Sequence, residues 1–334
     1  MQIKTYDVVV IGSGPAGYTA ALYAARANLD VQVFQGFEAG GQLMLTSDVE
    51  NYLGYREGVM GPKMMDDFKA QAARFGATMR LENVDRVDFL TRPFKVWAEG
   101  EEEPTLARAV IIATGAQAKW LGLEGEQRLM GRGVSGCATC DAFFFKGKRV
   151  AVVGGGDTAM EEALVLAKFA SEVIIIHRRD EFRASKIMLD RVRKNPKITF
   201  QTDTVVEDVL GENSVDGIRI KNLKTGEVSE LEVEGFFAAI GHAPATSIFK
   251  GQLEMDEGGY IIQKENTMTS IPGIYSAGDV SDKRYQQAVT AAGDGCRAAI
   301  DAERWLESQG EAEYAEDPAT WTAEKDEKAG TWAG

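Results

Sequence analysis

Short, unbroken runs of hydrophobic residues recur along the chain, and Ala- and Leu-rich stretches separate them. Residues 7–11 form one such run, DVVVI, and residues 31–34 form a second after an Ala-rich stretch at 15–26. Continuous β-branched runs of this length are typical of parallel strands that are buried on both faces. The Ala-rich stretch predicts a helix, so the chain begins with a predicted strand–helix–strand unit.

The same pattern occurs a second time further along the chain. Residues 149–153 (RVAVV) and 173–176 predict two strands, and residues 158–169 predict the helix between them. Each copy later closes on an apolar strand that ends at a glycine, Gly115 in the first copy and Gly241 in the second. An internal repeat of this kind indicates two copies of one α/β plan, the second inserted into the first.

Weaker hydrophobic patterns predict the remaining elements. They are a helix at 62–75, strands near 78–81, 84–89, 94–97 and 108–113, strands near 198–202, 205–210, 217–222, 229–233 and 235–240, a strand within 269–279 and a helix at 287–308. The predicted fold class is α/β, with two Rossmann-like, three-layer nucleotide-binding domains. Residues 1–116 and 245–310 form the discontinuous outer domain, residues 117–244 the inserted one, and residues 311–334 an acidic, mobile tail.

A glycine motif follows the first strand of each copy. Residues 12–17 read GSGPAG, a G-x-G-x-x-G pattern, and residues 154–159 read GGGDTA, a G-x-G-x-x-A pattern. Between a strand and a helix, such glycines permit a tight turn and a close approach of the backbone to a pyrophosphate at the helix N-terminus. Each domain is therefore predicted to bind a dinucleotide.

Basic residues distinguish the two predicted dinucleotide sites. The second strand of the inserted domain runs into His177, Arg178 and Arg179, and Arg183 follows four residues later. Arginine binds phosphate oxygens in bidentate geometry, so this cluster favours NADPH, with its 2′-phosphate, over NADH. The outer domain has no such cluster. FAD is predicted there, because a flavin can accept a hydride and pass electrons to a disulfide.

The outer domain also lacks an acid at the end of its second strand, where a ribose-binding carboxylate is expected. Gln35 and Gly36 stand there instead, and Glu38 lies a few residues later. Either Glu38 reaches the ribose from the loop, or backbone groups bind it. The long loop at 40–54 either lies over a cofactor ring or is an ordinary surface loop.

The charge balance argues against one class of partner. The chain of 334 residues carries 51 acids and 37 bases, a formal charge of −14, whereas nucleic-acid binding favours a basic surface. No run of about 18 apolar residues predicts a membrane span, and no secretory signal is recognised. We therefore expect a cytoplasmic protein with neither nucleic acid nor membrane as a partner.

A Cys-x-x-Cys pair followed by an acid lies just before the first strand of the inserted domain: Cys137, Cys140 and Asp141. Three interpretations are open, namely a redox pair, half of a zinc site and two core cysteines. The chain has only three cysteines and two histidines, and those outside the pair are remote from it in sequence. We therefore expect no metal site, and a catalytic role is favoured over a structural one in the cytosol.

With these motifs placed, the chain resembles the low-molecular-weight, bacterial-type thioredoxin reductases from residue 7 to about residue 308. The matching segments are GSGPAG (12–17), GGQL (40–43), ENY (50–52), IIATGA (111–116), CATCD (137–141), GGGDTA (154–159), HRRDEFRASK (177–186), AIGHAP (239–244) and AGDV (277–280). The resemblance implies a homodimer that uses FAD and NADPH to reduce thioredoxin or a similar small dithiol protein.

The resemblance also implies roles for individual residues. Cys137 and Cys140 form the redox disulfide, Asp141 moves protons to and from the thiols, and Asp279 contacts the ribityl chain of the flavin. The predicted FAD-binding residues are Gly12, Ser13, Gly14, Pro15, Ala16, Gly17, Gln35, Gly36, Glu38, Gly41, Gln42, Asn51, Val84, Thr114, Gly115, Gly278, Asp279, Gln287 and Ala288. The predicted NADPH-binding residues are Gly154, Gly156, Asp157, Thr158, His177, Arg178, Arg179, Arg183 and Gly241.

The predicted reaction is a relay from NADPH through FAD to the disulfide, and from there to the disulfide of the partner. We expect Cys140 to be the sulfur nearer the flavin, and hinges near 116–119 and 242–245 to let the domains move. Alternative interpretations are a flavin-dependent dithiol oxidase, a peroxiredoxin-reducing flavoprotein and a non-catalytic redox sensor. The arginine cluster argues against the oxidase, and steady turnover of NADPH with a partner disulfide would exclude the sensor.

Two positions depart from the pattern of the family. Residue 142 is Ala where Gly is usual, and residue 286 is Gln where Arg is common. If the backbone at residue 142 needs a positive φ, Ala142 costs about 1 kcal/mol. Gln286 leaves no arginine at that position to act near the flavin or at a subunit interface.

Overall fold

A computed structural model describes residues 4–45 and 48–309. The chain divides into two compact units, Met1–Gln117 with Pro244–Gly334, and Ala118–Ala243. The second unit is thus an insertion, because the chain leaves the first unit once and returns to it once. The tail predicted at 311–334 lies outside the described residues.

The first segment of the first unit contains nine strands and two helices within the described ranges. They are β1 (Thr5–Ile11), α1 (Pro15–Arg26), β2 (Val31–Phe34), β3 (Asp48–Val49), β4 (Val59–Met60), α2 (Gly61–Arg74), β5 (Thr78–Arg80), β6 (Val84–Asp88), β7 (Phe94–Ala98), β8 (Thr105–Ile112) and β9 (Ala116–Ala118). Pro15 and Pro62 stand in the first turns of α1 and α2, where the missing amide costs no hydrogen bond.

The inserted segment and the returning segment complete the two units. The inserted elements are α3 (Glu124–Arg128), β10 (Val134–Ser135), α4 (Ala138–Asp141), β11 (Arg149–Val153), α5 (Asp157–Leu166), β12 (Glu172–Ile176), α6 (Lys186–Arg193), β13 (Ile198–Gln201), β14 (Thr204–Leu210), β15 (Gly217–Asn222), β16 (Val228–Leu231), β17 (Gly235–Ala238) and β18 (His242–Pro244). The returning elements are β19 (Ile274–Ser276) and α7 (Ala288–Gln309), and 3-10 turns span Gly41–Leu45, Ala142–Phe145, Ser247–Phe249 and Gly278–Val280.

The main sheet of the first unit has the strand order β5-β2-β1-β8-β7-β6, and β19 pairs with β8. β1 is parallel to both of its neighbours, whereas β6 and β7 form an antiparallel ribbon. Both faces of β1 are buried: Val8 and Val10 belong to one core cluster, and Val9 and Ile11 to another. This two-sided burial is the physical reason for the unbroken apolar run in the sequence.

Helices α1 and α7 pack against each other in the first unit because small residues line their contact. A Cβ at Gly295 of α7 would lie 2.1 Å from the carbonyl oxygen of Ala16 in α1, so only glycine permits this approach. The contact fixes the start of α1, which begins within the first glycine motif.

The inserted unit has a five-stranded parallel sheet in the order β10-β17-β11-β12-β13, and a separate antiparallel sheet, β14-β15-β16. Val150 and Val152 of β11 pack in a core cluster with residues of α4 and α5. On the opposite face, Ala151 and Val153 pack in a cluster that includes residues of β14 and β15. The unit therefore has three layers, with helices on one face of the parallel sheet and a second sheet on the other.

The predicted fold class, two Rossmann-like α/β nucleotide-binding units, is confirmed. Several local predictions differ from the structure. Helix α5 ends at Leu166 rather than near 169, and the strand expected within 269–279 is only Ile274–Ser276. Helices α3, α4 and α6 were not predicted. Helices α3 and α4 are too short for a helical period to be recognised in the sequence. The segments predicted as hinges contain β9 and β18, which pair with each other.

Candidate redox and dinucleotide sites

The two cysteines of the inserted unit form a disulfide at the start of α4. Cys137 and Cys140 are bonded, and their Cα atoms are 5.4 Å apart. Cys137 precedes the helix and its Sγ accepts a hydrogen bond of 3.2 Å from the amide of Cys140. Cys137 is half-buried and Cys140 is exposed, so the bond is accessible on the Cys140 side. An exposed disulfide of this kind is suited to exchange with another disulfide.

Asp141, the last residue of α4, is a half-buried acid next to this disulfide. Burial raises the pKa of Asp141, and a hydrogen bond with Ser135 opposes that shift. The Ser135 hydroxyl also accepts a hydrogen bond of 3.0 Å from the amide of Cys137, so one serine connects the acid to the first cysteine. A carboxyl with a raised pKa holds its proton closer to neutral pH and can give it to a released thiolate.

Two exposed aromatic side chains follow the disulfide directly. Phe143 is 61% exposed and Phe144 is 43% exposed, although both lie in the turn after α4. The ring of Phe143 meets Phe169 edge to face, which fixes it at the surface. Neither residue was predicted from the sequence to belong to the site. Their signal was an apolar run, FFF, beside a candidate redox pair.

The glycine motif of the inserted unit forms a tight turn between β11 and α5. A Cβ at Gly154 would lie 2.3 Å from the carbonyl oxygen of Ala239, so the backbones touch there. Gly156 precedes α5 and nothing lies within 4 Å of its Cβ position, which leaves open space in front of the helix N-terminus. This arrangement is the one that a pyrophosphate requires.

The structure brings the predicted arginine cluster to this turn. The amide of Arg183 donates a hydrogen bond of 2.8 Å to the carbonyl oxygen of Gly155, between the two motif glycines. Arg178, Arg179 and Arg183 are exposed, and no acid in the described part of the chain forms an ion pair with them. The neighbouring Asp180 pairs instead with Lys224 at 3.0 Å. Three guanidinium groups are therefore free to meet a phosphate.

His177 is fixed within the same cluster. Its ring stacks on Phe182 with centroids 4.9 Å apart, and its Nε2 lies 3.2 Å from the carbonyl oxygen of Glu181. Burial, together with the charges of the neighbouring arginines, lowers the pKa of His177. The hydrogen bond with the backbone of Glu181 opposes this shift. A Cβ at Gly155 would lie 2.2 Å from the ring, so a larger residue there would displace His177, a contact that was not predicted from the sequence.

Asp157 and Thr158, also predicted for the second dinucleotide, begin α5. The Asp157 carboxylate accepts a hydrogen bond of 2.7 Å from the amide of Ser185, which precedes α6. Asp157 thus connects the starts of two helices, and Thr158 is exposed beside it. Gly241 has a φ of +97° and its carbonyl accepts from the amide of Lys119 at 2.9 Å.

The glycine motif of the first unit has the same geometry. A Cβ at Gly12 would lie 2.2 Å from the carbonyl oxygen of Ala113, and one at Gly17 would lie 2.1 Å from that of Gly12. Gly14 precedes α1 and nothing lies within 4 Å of its Cβ position. Pro15 and Ala16 form the first turn of the helix, whose amides face the open space.

A buried network holds the end of β2 next to this turn. The Ser13 hydroxyl donates to the carbonyl of Gln35 at 2.7 Å and accepts from the amide of Gly40 at 2.9 Å. The hydroxyl of Tyr18, which the sequence analysis did not select, donates to Gln35 Oε1 at 2.9 Å. The motif, the strand end and the following loop are therefore held together, and Gly36 and Gly41 adopt positive φ there.

Asp279 lies in the 3-10 turn Gly278–Val280, after β19. Burial, with Asp282 and Asp294 nearby, raises the pKa of Asp279 to about 7. Its Oδ1 is buried and has no hydrogen-bond partner. The preceding Gly278 has a φ of +76°, and a Cβ there would meet Ala16 of α1 at 3.0 Å. The buried acceptor therefore belongs to the glycine motif region and is available to a hydroxyl group.

Other predicted flavin-site residues are distributed around the first unit. Thr114 donates to the carbonyl of Ala245 at 2.8 Å, and Asn51 donates to Gln287 Oε1 at 3.4 Å. The Gln42 amide donates to the carbonyl of Ala116. Val84 packs, partly buried, against a core cluster. The remaining positions are Glu38, whose side chain is exposed, Gly115, whose φ is +70°, and Ala288, which begins α7.

The two positions that depart from the family pattern have different backbones. Ala142 has a φ of −56° and a ψ of −30°, is buried, and needs no positive φ, so the conditional cost does not arise. Gln286 has a φ of +49°, in the left-handed region that favours glycine. The unfavourable backbone therefore lies at Gln286 and not beside the disulfide.

Comparison with known proteins identifies the family of this chain. The family model for pyridine nucleotide-disulphide oxidoreductases matches residues 6–295. The chain belongs to this family. It is 55% identical to a thioredoxin reductase from Mycolicibacterium smegmatis, over 91% of this chain and 97% of the relative. A bifunctional thioredoxin reductase/thioredoxin from Mycobacterium leprae is 53% identical, over 96% of this chain and 69% of its own length.

Solved structures agree with this assignment. A thioredoxin reductase from Giardia duodenalis superposes with a TM-score of 0.87 at 44% identity, over 91% of this chain and 99% of that one. One from Streptococcus pyogenes gives a TM-score of 0.86 at 41% identity, over 91% and 99% of the two chains. The resemblance predicted from the sequence is confirmed.

Thioredoxin reductases of this family use FAD and NADPH, so the predicted cofactors are confirmed. The residues present fit two dinucleotides. Gly14 and Gly156 leave open space at two helix N-termini, as two pyrophosphates require. The buried, unpartnered Oδ1 of Asp279 provides an acceptor for a cofactor hydroxyl in the first unit. The exposed arginines after β12 provide positive charge for a phosphate in the second.

Among the described residues, no helix is long and apolar enough to cross a membrane. No group of three or more Cys, His, Asp or Glu side chains in the same ranges is placed to hold a metal ion.

Proposed function

We propose that this disulfide reductase takes electrons from NADPH, through FAD, to reduce oxidised thioredoxin. The observation that carries the proposal is the exposed Cys137–Cys140 disulfide, which lies beside an acid with a raised pKa in a unit that also presents an arginine cluster. The name of the Mycobacterium leprae relative couples a thioredoxin reductase with a thioredoxin, which supports thioredoxin as the partner.

The two units divide the cofactors in this proposal. The first unit binds FAD at the turn of Gly12, Gly14 and Gly17, with Asp279 accepting a hydrogen bond from the ribityl chain. The second unit binds NADPH at the turn of Gly154 and Gly156. Its phosphate-binding residues are Arg178, Arg179 and Arg183, which meet the 2′-phosphate. Support comes from the matching geometry of the two glycine turns and from the unpaired guanidinium groups.

When bound, FAD and NADPH supply the two electrons that open the disulfide. Opening the S–S bond with two electrons leaves two sulfurs that need protons, and Asp141 gives its proton to one of them. The amide of Cys140 stabilises negative charge on Cys137 Sγ. A thiolate then attacks the partner's disulfide and forms a mixed disulfide, which the second thiol of the pair resolves. The enzyme disulfide re-forms and the partner leaves as a dithiol.

The exposed rings of Phe143 and Phe144 support docking of a protein partner at this position. Apolar surface beside an exposed disulfide is suited to packing against an apolar patch on a protein partner. A small-molecule disulfide would make little use of two such rings. The observation therefore favours a protein substrate over a low-molecular-weight one.

The proposal is tested by NADPH oxidation with purified holoenzyme and oxidised thioredoxin. The parent should turn over only when both substrates are present, and Cys140→Ser should abolish turnover while FAD remains bound. Cys296→Ser is the matched control, because Cys296 is a free cysteine on α7, outside the disulfide. Turnover that is absent in the parent, or undiminished in Cys140→Ser, would disprove the function.

We also propose that the protein is a homodimer that associates through its first unit. Several large apolar side chains of that unit are exposed: Tyr23 (42%), Leu53 (95%), Met60 (50%) and Val289 (49%). Exposed apolar surface of this kind is usual at subunit interfaces. Light scattering coupled to gel filtration should give twice the chain mass of 36.3 kDa, and a single-chain mass would contradict the proposal. The cytoplasmic location stays a prediction.

A further inference from the structure

One buried carboxyl group near the redox disulfide has no part in the function proposed above. Glu162 lies in α5, which packs against α4 and the turn Ala142–Phe145. Glu161, one residue earlier, is exposed, whereas Glu162 is half-buried and its Oε2 is fully buried without a hydrogen-bond partner. A buried carboxylate with an unsatisfied oxygen is costly, so such a group retains its proton.

The carboxyl of Glu162 also interacts with α4, the helix that contains Cys140. The backbone of Ala138, the residue after Cys137 and the first of α4, hydrogen-bonds it. Burial raises the pKa of Glu162 to about 8, the hydrogen bond with Ala138 opposes the shift, and the charge of Asp141 reinforces it. The charges of Glu162 in α5 and Asp141 in α4 therefore influence each other from two different helices.

The other charged groups on elements packed against α5 are engaged or exposed. Arg149 of β11 and Glu172 of β12 pair with each other at 2.8 Å. The turn Ala142–Phe145 carries no charged residue. Apart from Glu162, the charged residues of α6 and α5 are all exposed: Lys186, Asp190, Arg191, Arg193, Asp157 and Glu161. Asp141 is the charged group that acts on Glu162 within the described residues.

We propose that Glu162 is a positioning residue for the redox reaction, a carboxylic acid that is protonated at neutral pH while the disulfide is closed and whose ionisation is linked to the charge of Asp141 and of the thiolate. Such groups titrate as a coupled set. The proposal rests on the Cys137–Cys140 pair being redox-active, and it assigns to Glu162 no contact with the flavin or the partner.

This linkage changes the number of protons that the protein takes up when two electrons reduce the disulfide. Reduction of the S–S bond to two thiols takes two electrons from the reductant and two protons. A thiolate near Glu162 adds negative charge and raises its pKa further. Between its pKa in the disulfide form and its pKa in the thiolate form, Glu162 is ionised before reduction and protonated after it. At a pH between these two pKa values, the protein therefore takes up one additional proton from water, on Glu162, when the disulfide is reduced.

The first test measures the midpoint potential of Cys137–Cys140 against pH in the holoenzyme. The protein is equilibrated in dithiothreitol redox buffers, the thiols are trapped by alkylation, and the reduced fraction is read by mass spectrometry. The parent should show a steeper dependence on pH beginning near pH 8, and Glu162→Gln should lack it. Glu161→Gln, the exposed neighbour, should match the parent. Identical curves for Glu162→Gln and the parent would overturn the proposal.

A second measurement needs no variant, so it holds even if Glu162→Gln fails to fold. Holoenzyme labelled with ¹³C at the glutamate carboxyl carbon is titrated by NMR in the oxidised and the reduced states. One glutamate should titrate near pH 8 when the disulfide is closed, and at higher pH when it is open. A labelled protein in which no glutamate titrates above pH 6, or in which reduction leaves that titration unmoved, would disprove the linkage. Because dithiothreitol is the reductant, neither test depends on turnover with NADPH or thioredoxin.

Discussion

The amide of Cys140 donates a hydrogen bond of 3.2 Å to the Sγ of Cys137, so the sulfur of the first cysteine caps the helix that carries the second. Once the disulfide is reduced, that amide favours the thiolate form of Cys137. We expect the thiol of Cys137 to have the lower pKa of the pair. The alkylation rate against pH, measured on Cys137 in Cys140→Ser and on Cys140 in Cys137→Ser, checks this. Equal pKa values would show that the hydrogen bond has no such effect.

Asp141→Asn should slow the reaction without weakening the fold. The amide cannot donate a proton to a thiolate as an acid does, so the single-turnover rate of disulfide opening should fall by about 10²-fold. The pKa of Asp141 is raised by burial in the folded state, so its stabilising contribution is present at low pH and is lost as pH rises through the raised pKa. Relative to the parent, Asp141→Asn should therefore gain free energy of unfolding as pH increases. Stopped-flow absorbance and denaturation at pH 5 and pH 8 measure the two effects.

The double variant Arg178→Ala with Arg179→Ala should discriminate between the two nicotinamide cofactors. Removing two exposed guanidinium groups takes away favourable interaction with the 2′-phosphate and nothing that NADH uses. The apparent KM for NADPH should rise by about 10²-fold or more, since each of the two lost charge-assisted contacts contributes roughly 1.5–3 kcal/mol. The KM for NADH should change little. A parallel rise in both would place the 2′-phosphate elsewhere.

The sequence was sufficient for the parts of the sites that depend on backbone geometry. At Gly12 and Gly154 a Cβ would collide with a neighbouring carbonyl oxygen, so both positions require glycine. A strand–glycine–helix pattern in the sequence indicates such positions. The arginine cluster was also predicted from the sequence, because it follows a predicted strand. Glu162 was not predicted, because an acid on a helix is ordinarily solvated and only tertiary packing buries it. The length of α4, a single turn, likewise depends on tertiary contacts and not on a periodic pattern.

Glycine substitutions at the two unusual positions should have opposite effects on stability. Gln286 has a φ of +49°, so Gln286→Gly relieves backbone strain and should raise the free energy of unfolding by about 1 kcal/mol or less. Ala142 is buried in helical geometry, so Ala142→Gly should lower it by about 1 kcal/mol. Urea denaturation of the two variants beside the parent tests this. A stabilised Ala142→Gly would indicate that residue 142 needs a positive φ after all.

The most direct test of the relay is the state of the disulfide after NADPH alone is added. Holoenzyme is mixed with NADPH without oxygen and without a partner protein, then denatured in an excess of an alkylating agent and analysed by mass spectrometry of its peptides. We predict two new labels, one on Cys137 and one on Cys140, while the label on the free thiol of Cys296 is the same with and without NADPH. An unlabelled, still oxidised Cys137–Cys140 pair after NADPH has reduced the flavin would contradict the claim that electrons leave through this disulfide.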